Sequence, residues 1–80
     1  MAKRRVHLTF PERLVQEPII YRLTKDFDLV TNIRRANVEE SFGWVICELE
    51  GDEDALDRGI GYLEGLGVEV SQIAGDVIEG

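Results

Sequence analysis

The stretch DLVTNIRRANVEESFGWVICELE, residues 28–50, decides the fold. Its first part sets Leu29, Thr31 and Ile33 against Val30, Asn32 and Arg34, the period of two that belongs to a strand with two distinct faces. Further on, Ala36 and Val38 fall on the opposite parity, so the alternation survives only if one extra residue is accommodated near Arg34 or Arg35. A polar turn over 39–41 then leads into a second run, in which Val45, Cys47 and Leu49 share one face. The spacing predicts a long bulged hairpin, with strands over about 28–38 and 42–50.

Working outward, Val6, Leu8 and Phe10 alternate with His7 and Thr9 until Pro11, which cannot donate to a ladder, giving a first strand over about 4–10. Pro18 suits the first turn of a helix, and Ile19, Ile20, Leu23 and Phe27 then fall on one face, giving a helix over about 17–26. After the hairpin, Gly51 or Asp52 can cap a second helix, over about 52–65. Asp52, Glu53 and Asp54 put negative charge on its positive end. Leu56, Ile60 and Leu63 form its apolar ridge, and Ala55 and Gly59 beside them predict a close approach to the sheet. Gly67 is suited to a left-handed stop, and Val68 and Val70 open a last strand over about 68–74. Residues 75–80 extend that strand or fray. The order β-α-β-β-α-β specifies an α+β, ferredoxin-like sandwich: a four-stranded antiparallel sheet with both helices on one face.

Eighty residues, 44% hydrophobic and 31% charged, leave room for one core, here one domain over 1–80 with its core at about 4–74. A net charge of −7 repels phosphate backbones, which argues against nucleic acid as a partner. Strands that could read RNA would need stacking aromatics and a basic surround; only Trp44 qualifies. No apolar run approaches the ~18 residues of a membrane span, so no membrane insertion and a cytoplasmic setting are expected. The single cysteine, Cys47, lies in an apolar run and reads as a small core residue.

The face of the sheet away from the helices is the expected working surface. Parity assigns to it His7 and Thr9, then Val30, Asn32 and Arg34, then Trp44, Ile46 and Glu48, then Glu69, Ser71 and Ile73. Val30, Trp44, Ile46 and Ile73 are then candidates for an apolar interface patch; in the bland alternative they are scattered singly, or Trp44 plugs a corner of the core. Chemistry-bearing constellations are scarce. His7 is the only histidine, so no metal site or histidine-paired nucleophile is assembled, and no cofactor is expected. Acylphosphatase shares the topology and binds phosphate through an arginine and glycines in the first loop; Arg13 is present here, but the glycines are not. Asp52, Glu53, Asp54 and Asp57 fit a solvated helix start better than an acid/base pair. The expectation is a binding module and not an enzyme.

Asn32 stands out, because asparagine is disfavoured within strands and offers both a donor and an acceptor. Together with Asn32-Ile33-Arg34, the Gly43-Trp44 pair, the Leu49-Glu50-Gly51-Asp52 step and the segment Gly59 to Val70, the chain from about Val6 to Ile73 resembles the NIL domain. That family is named for an Asn-Ile-Leu strand motif, and Arg34 stands where the motif has leucine. The resemblance implies a relative of amino-acid-binding ACT domains, many members of which end the ATPase subunit of methionine-type ABC importers, pair as homodimers, bind methionine and regulate transport. Others stand alone or beside iron-sulfur modules. It carries over Asn32 as a polar ligand contact, with Ile33 and the bulged strand shaping the site; Arg34 would meet a carboxylate if it faces the same way. The chain has no Gly-x-x-x-x-Gly-Lys-Ser/Thr phosphate loop, so transport coupling is not intrinsic to these residues. Three readings follow: an amino-acid sensor dimer, a ligand-free module docking a protein partner through the open face, and an acylphosphatase-type enzyme.

Overall fold

Val6 and Leu8 are fully buried and Phe10 nearly so, while His7 and Thr9 between them are half-buried, the signature of a strand with one face in a core. This strand, β1, runs Ala2–Phe10 and stops at Pro11. The computed structural model describes residues 2–73. A single 3-10 turn, Glu12–Leu14, follows and buries Leu14, a feature that the loop composition does not announce. Helix α1 spans Ile19–Phe27, with Pro18 at its N-cap. It ends on Asp28, whose left-handed backbone (φ 57°) turns the chain sharply into the next strand. Strand β2 (Val30–Val38), strand β3 (Gly43–Gly51), helix α2 (Glu53–Leu66) and strand β4 (Glu69–Gln72) complete the order.

The strands form one antiparallel sheet in the order β2-β3-β1-β4, and the helices pack on one face of it, the ferredoxin-like arrangement. The bulge falls where the parity switch requires it. Ile33 pairs with Cys47 and Arg35 with Ile46, leaving Arg34 as the extra residue. Gly67 takes φ 103°, its N–H donates to the Glu64 carbonyl, and the Val68 N–H donates to the Leu63 carbonyl, closing α2 as expected. Asp52 occupies the N-cap, but its side chain makes no capping hydrogen bond. Strand β4 is shorter than 68–74: Val68 is buried before it, and Ile73 adds only a backbone bond to the Arg5 carbonyl. Residue 74 and the extension expected over 75–80 lie outside the described residues.

The core is built from alternate residues of β1 and β3 against Ile19 and Leu23 of α1 and Ala55, Leu56, Ile60 and Leu63 of α2. Gly59 permits a close approach, but not to the sheet. A Cβ there would lie 2.7 Å from Leu29 Cδ1 and 3.4 Å from Leu23 Cδ2, so α2 closes on α1 and on the link between α1 and β2. Leu29 is held on its other side by Gly51, where a Cβ would lie 2.7 Å from Cδ2. Arg4 ties β1 to α2 through Glu53 at 2.8 Å and Asp57 at 2.9 Å; both carboxylates are well exposed, so the pairs contribute little.

Cys47 sits at the centre of this core with no exposed surface. Burial disfavours the thiolate and pushes the thiol from its ordinary 9.0 up to about 11. The native state therefore holds its proton at a pH where the unfolded chain releases it. The resulting stability is complete below pH 9 and is lost as pH rises through the folded value. The total is on the order of 2–3 kcal/mol. Urea titrations of the wild type and Cys47→Ala between pH 8 and 11 check this. The wild type is expected to lose stability more steeply over that range, and parallel curves would remove the effect.

Candidate functional site

No residue of β2 is buried, although it is as long as β1 and β3. Helix α1 meets this edge at Thr31, whose Oγ1 lies 3.3 Å from that of Thr24, but leaves the rest of the strand uncovered, so β2 shows most of both faces and its outer row of backbone groups to solvent. Pairing with β3 assigns its side chains. Val30 lies opposite Glu50, Asn32 opposite Glu48, Arg35 opposite Ile46 and Asn37 opposite Trp44, all on the open face. Thr31, Ile33, Ala36 and Val38 lie opposite Leu49, Cys47, Val45 and Gly43, on the helix side. Ala36 and Val38 thus have the parity of core residues without the cover of a helix. Ile33 is 51% exposed and Val38 61% exposed.

The inferred ligand residues are consecutive but do not converge within one chain. Asn32 and Arg34 belong to the open face and Ile33 to the other. The inferred interface residues all have the expected facing but do not make one patch. Val30 is 56% exposed beside Glu50; Ile46 lies four positions away along β3, roughly 13 Å, with Glu48 between them. Trp44 is half-buried on the open face and stacks on His7, ring centroids 5.6 Å apart. Ile73 flanks Arg5, which reaches Glu48 at 3.6 Å, so an ion pair lies between it and Ile46. Arg13 does not line a phosphate cradle: its guanidinium donates to the Leu66 carbonyl at 2.7 Å and lies against Gly67, holding the end of α2.

Residue parity did not foresee a cavity of about 110 Å³ at the end of the β2–β3 hairpin. It lies between Phe10, Leu14, Ile20, Val38 and Val45, with Glu17 on its wall. It is of the order of the ~150 Å³ apolar cavities that hold one small ring. The Glu17 carboxylate accepts from Arg22 at 3.0 Å, so the cavity is apolar inside and charged at its edge. Its sequence signal was present in Val38, an apolar residue on the helix-side parity of a strand, but its exposure depended on where α1 ended up.

A NIL domain model matches residues 4–72, and the chain belongs to this family. It is 39% identical over 69 residues to the methionine import ATP-binding protein MetN 2 of Acinetobacter baylyi, covering 81% of this chain and 20% of that protein. It is 33% identical to the methionine import ATP-binding protein MetN of Coxiella burnetii, with the same coverage. It is 30% identical over 74 residues to that of Halalkalibacterium halodurans, covering 88% and 22%. The chain thus spans about a fifth of the length of these relatives. Among solved structures, the C-terminal domain of an ABC transporter ATP-binding protein from Enterococcus faecalis superposes with a TM-score of 0.77 at 24% identity. That match covers 89% of this chain and 83% of that one, and it speaks for the fold. Among the described residues, no helix is long and apolar enough to cross a membrane.

Proposed function

We propose that this chain is a ligand-responsive regulatory module that works as a homodimer, pairing two copies through β2, and that its ligand is an amino acid, methionine first among them. The observation that carries the reading is the edge itself. A nine-residue strand with no buried side chain, exposed Ile33 and Val38 and an unpaired backbone row is what soluble proteins avoid unless another strand covers it. The bulge makes the edge self-complementary. A twofold axis through it would set Asn32 opposite Asn37 of the partner subunit, Ile33 opposite its Ala36 and Thr31 opposite its Val38, each pair on a shared face.

In that arrangement Asn32, Ile33 and Arg34, divided between faces in one chain, all fall on the strip between copies. The segment 31–33 closes over Val38 at the wall of the other copy's cavity, where an apolar side chain can enter and Glu17 can meet an ammonium group. The methionine-import ATP-binding relatives support this choice of ligand and a role beside an ATP-binding partner. A thermal-shift screen with the common amino acids tests it. At a hundred times Kd, methionine is expected to add about 2.7 kcal/mol, which raises Tm by roughly 10–20 °C in a domain this size. No shift across the set would remove the amino acid, and a monomer at every concentration would remove the dimer.

A further inference from the structure

We infer that Arg34 and Arg35 form an oxyanion site on the open face of β2, and that a small molecule of net negative charge must fill it for two copies to pair tightly. The inference rests on the β2 pairing proposed above.

The bulge sets the facing of both arginines. Ile33 faces the helix side opposite Cys47, so alternation turns Arg34 to the open face. Arg35, opposite Ile46, is on the open face as well. The extra residue therefore gives two consecutive arginines the same facing, which a regular strand never does. Asn32 and Asn37 flank them on that face, each with an amide able to donate to the same anion.

The electrostatic setting is unusual for this chain. Arg4, Arg5, Arg22 and Arg58 each have a carboxylate within 4 Å, and Arg13 is engaged by the Leu66 carbonyl. Among the described residues, no carboxylate comes within that range of Arg34 or Arg35, and both are exposed. A chain with 16 acidic and 9 basic residues thus leaves its one exposed arginine pair uncompensated. The nearest carboxylate on the shared face by register is Glu48, opposite Asn32, and it is turned to Arg5.

A twofold axis through the bulge would bring two such pairs together, four guanidinium groups inside a Debye length of about 10 Å. Their repulsion opposes pairing unless an anion sits among them. Guanidinium groups bind carboxylate and phosphate through paired hydrogen bonds, and either group meets the need. A zwitterion brings its own ammonium to the same spot, so the ligand of this site carries net negative charge. It is distinct from the molecule whose side chain enters the cavity near Val38.

The experiment is sedimentation velocity on the full chain at constant ionic strength, with chloride replaced by inorganic phosphate in one arm and by succinate in the other. Association is expected to strengthen by about tenfold or more in at least one arm, and the stronger arm names the oxyanion. R34Q/R35Q is expected to pair without the anion and to ignore it. A wild-type dimer equally strong in chloride, phosphate and succinate would overturn the inference. If the chain stays monomeric throughout, the β2 pairing itself fails. The site is then judged by the arginine Nε–H resonances: shifts on adding phosphate at Arg34 and Arg35 but not at Arg13 support it in a single chain, and none overturns it.

Discussion

Truncating Leu29 to alanine is expected to lower stability by about 3 kcal/mol, because it empties a site the surroundings cannot refill. Leu29 is 1% exposed and fills the gap between two residues that have no side chain to move inward. Its Cδ2 occupies the space a Cβ of Gly51 would need and its Cδ1 that of Gly59. In a domain whose total stability is about 5–10 kcal/mol, that loss corresponds to a fall in Tm of roughly 12–24 °C. The lock can be tested separately from the cavity. Gly59→Ala alone gains up to about 1 kcal/mol of helix propensity but forces a methyl to within 2.7 Å of Leu29 Cδ1, so it is expected to destabilise overall. In a Leu29→Ala background the obstacle is gone, and the same substitution is expected to stabilise. Urea unfolding of the four proteins measures the reversal; Gly59→Ala acting with the same sign in both backgrounds would refute the account.

Most of this frame is legible from periodicity, because each core strand announces its face through alternate apolar residues and each helix through its ridge. The bulge is legible for the same reason: a change of parity between Ile33 and Ala36 has few physical solutions, and the register slip at Arg34 is one of them. Periodicity cannot say whether a face that looks buried is in fact covered. Ala36 and Val38 carry core parity, yet α1 meets β2 at Thr31 and does not bury these two, so they stay exposed and Val38 lines a cavity. The same limit applies on the open face. Val30, Trp44, Ile46 and Ile73 have the facing the alternation implies, but contiguity depends on cross-strand register, and register sets Glu48, Glu50 and Arg5 among them. Gly59 was legible as a point of close approach, but its partner, Leu29, comes from a turn made by the left-handed Asp28, which no periodic pattern encodes.

The strongest effect on assembly is expected from Ile33→Lys. The side chain lies on the helix side of β2, 51% exposed, where it stabilises the single chain little; the folding stability of the variant should stay within about 0.5 kcal/mol of the wild type. In a twofold pairing through the bulge, however, Ile33 sits next to the axis opposite Ala36 of the partner subunit. Two lysines would then sit next to the axis on the helix side, with the arginines on the opposite face of the sheet, combining lost apolar contact with the burial of two like charges. Association is expected to weaken by about a hundredfold or more, which corresponds to about 2.7 kcal/mol. Val30→Lys provides the contrast: Val30 is on the other face at the far end of the strand, and its replacement should cost much less. Sedimentation of the two variants beside urea unfolding separates assembly from folding. If Ile33→Lys pairs as tightly as the wild type, β2 is not the interface, and the pairing must run instead through the open face, where Trp44→Asp becomes the decisive substitution.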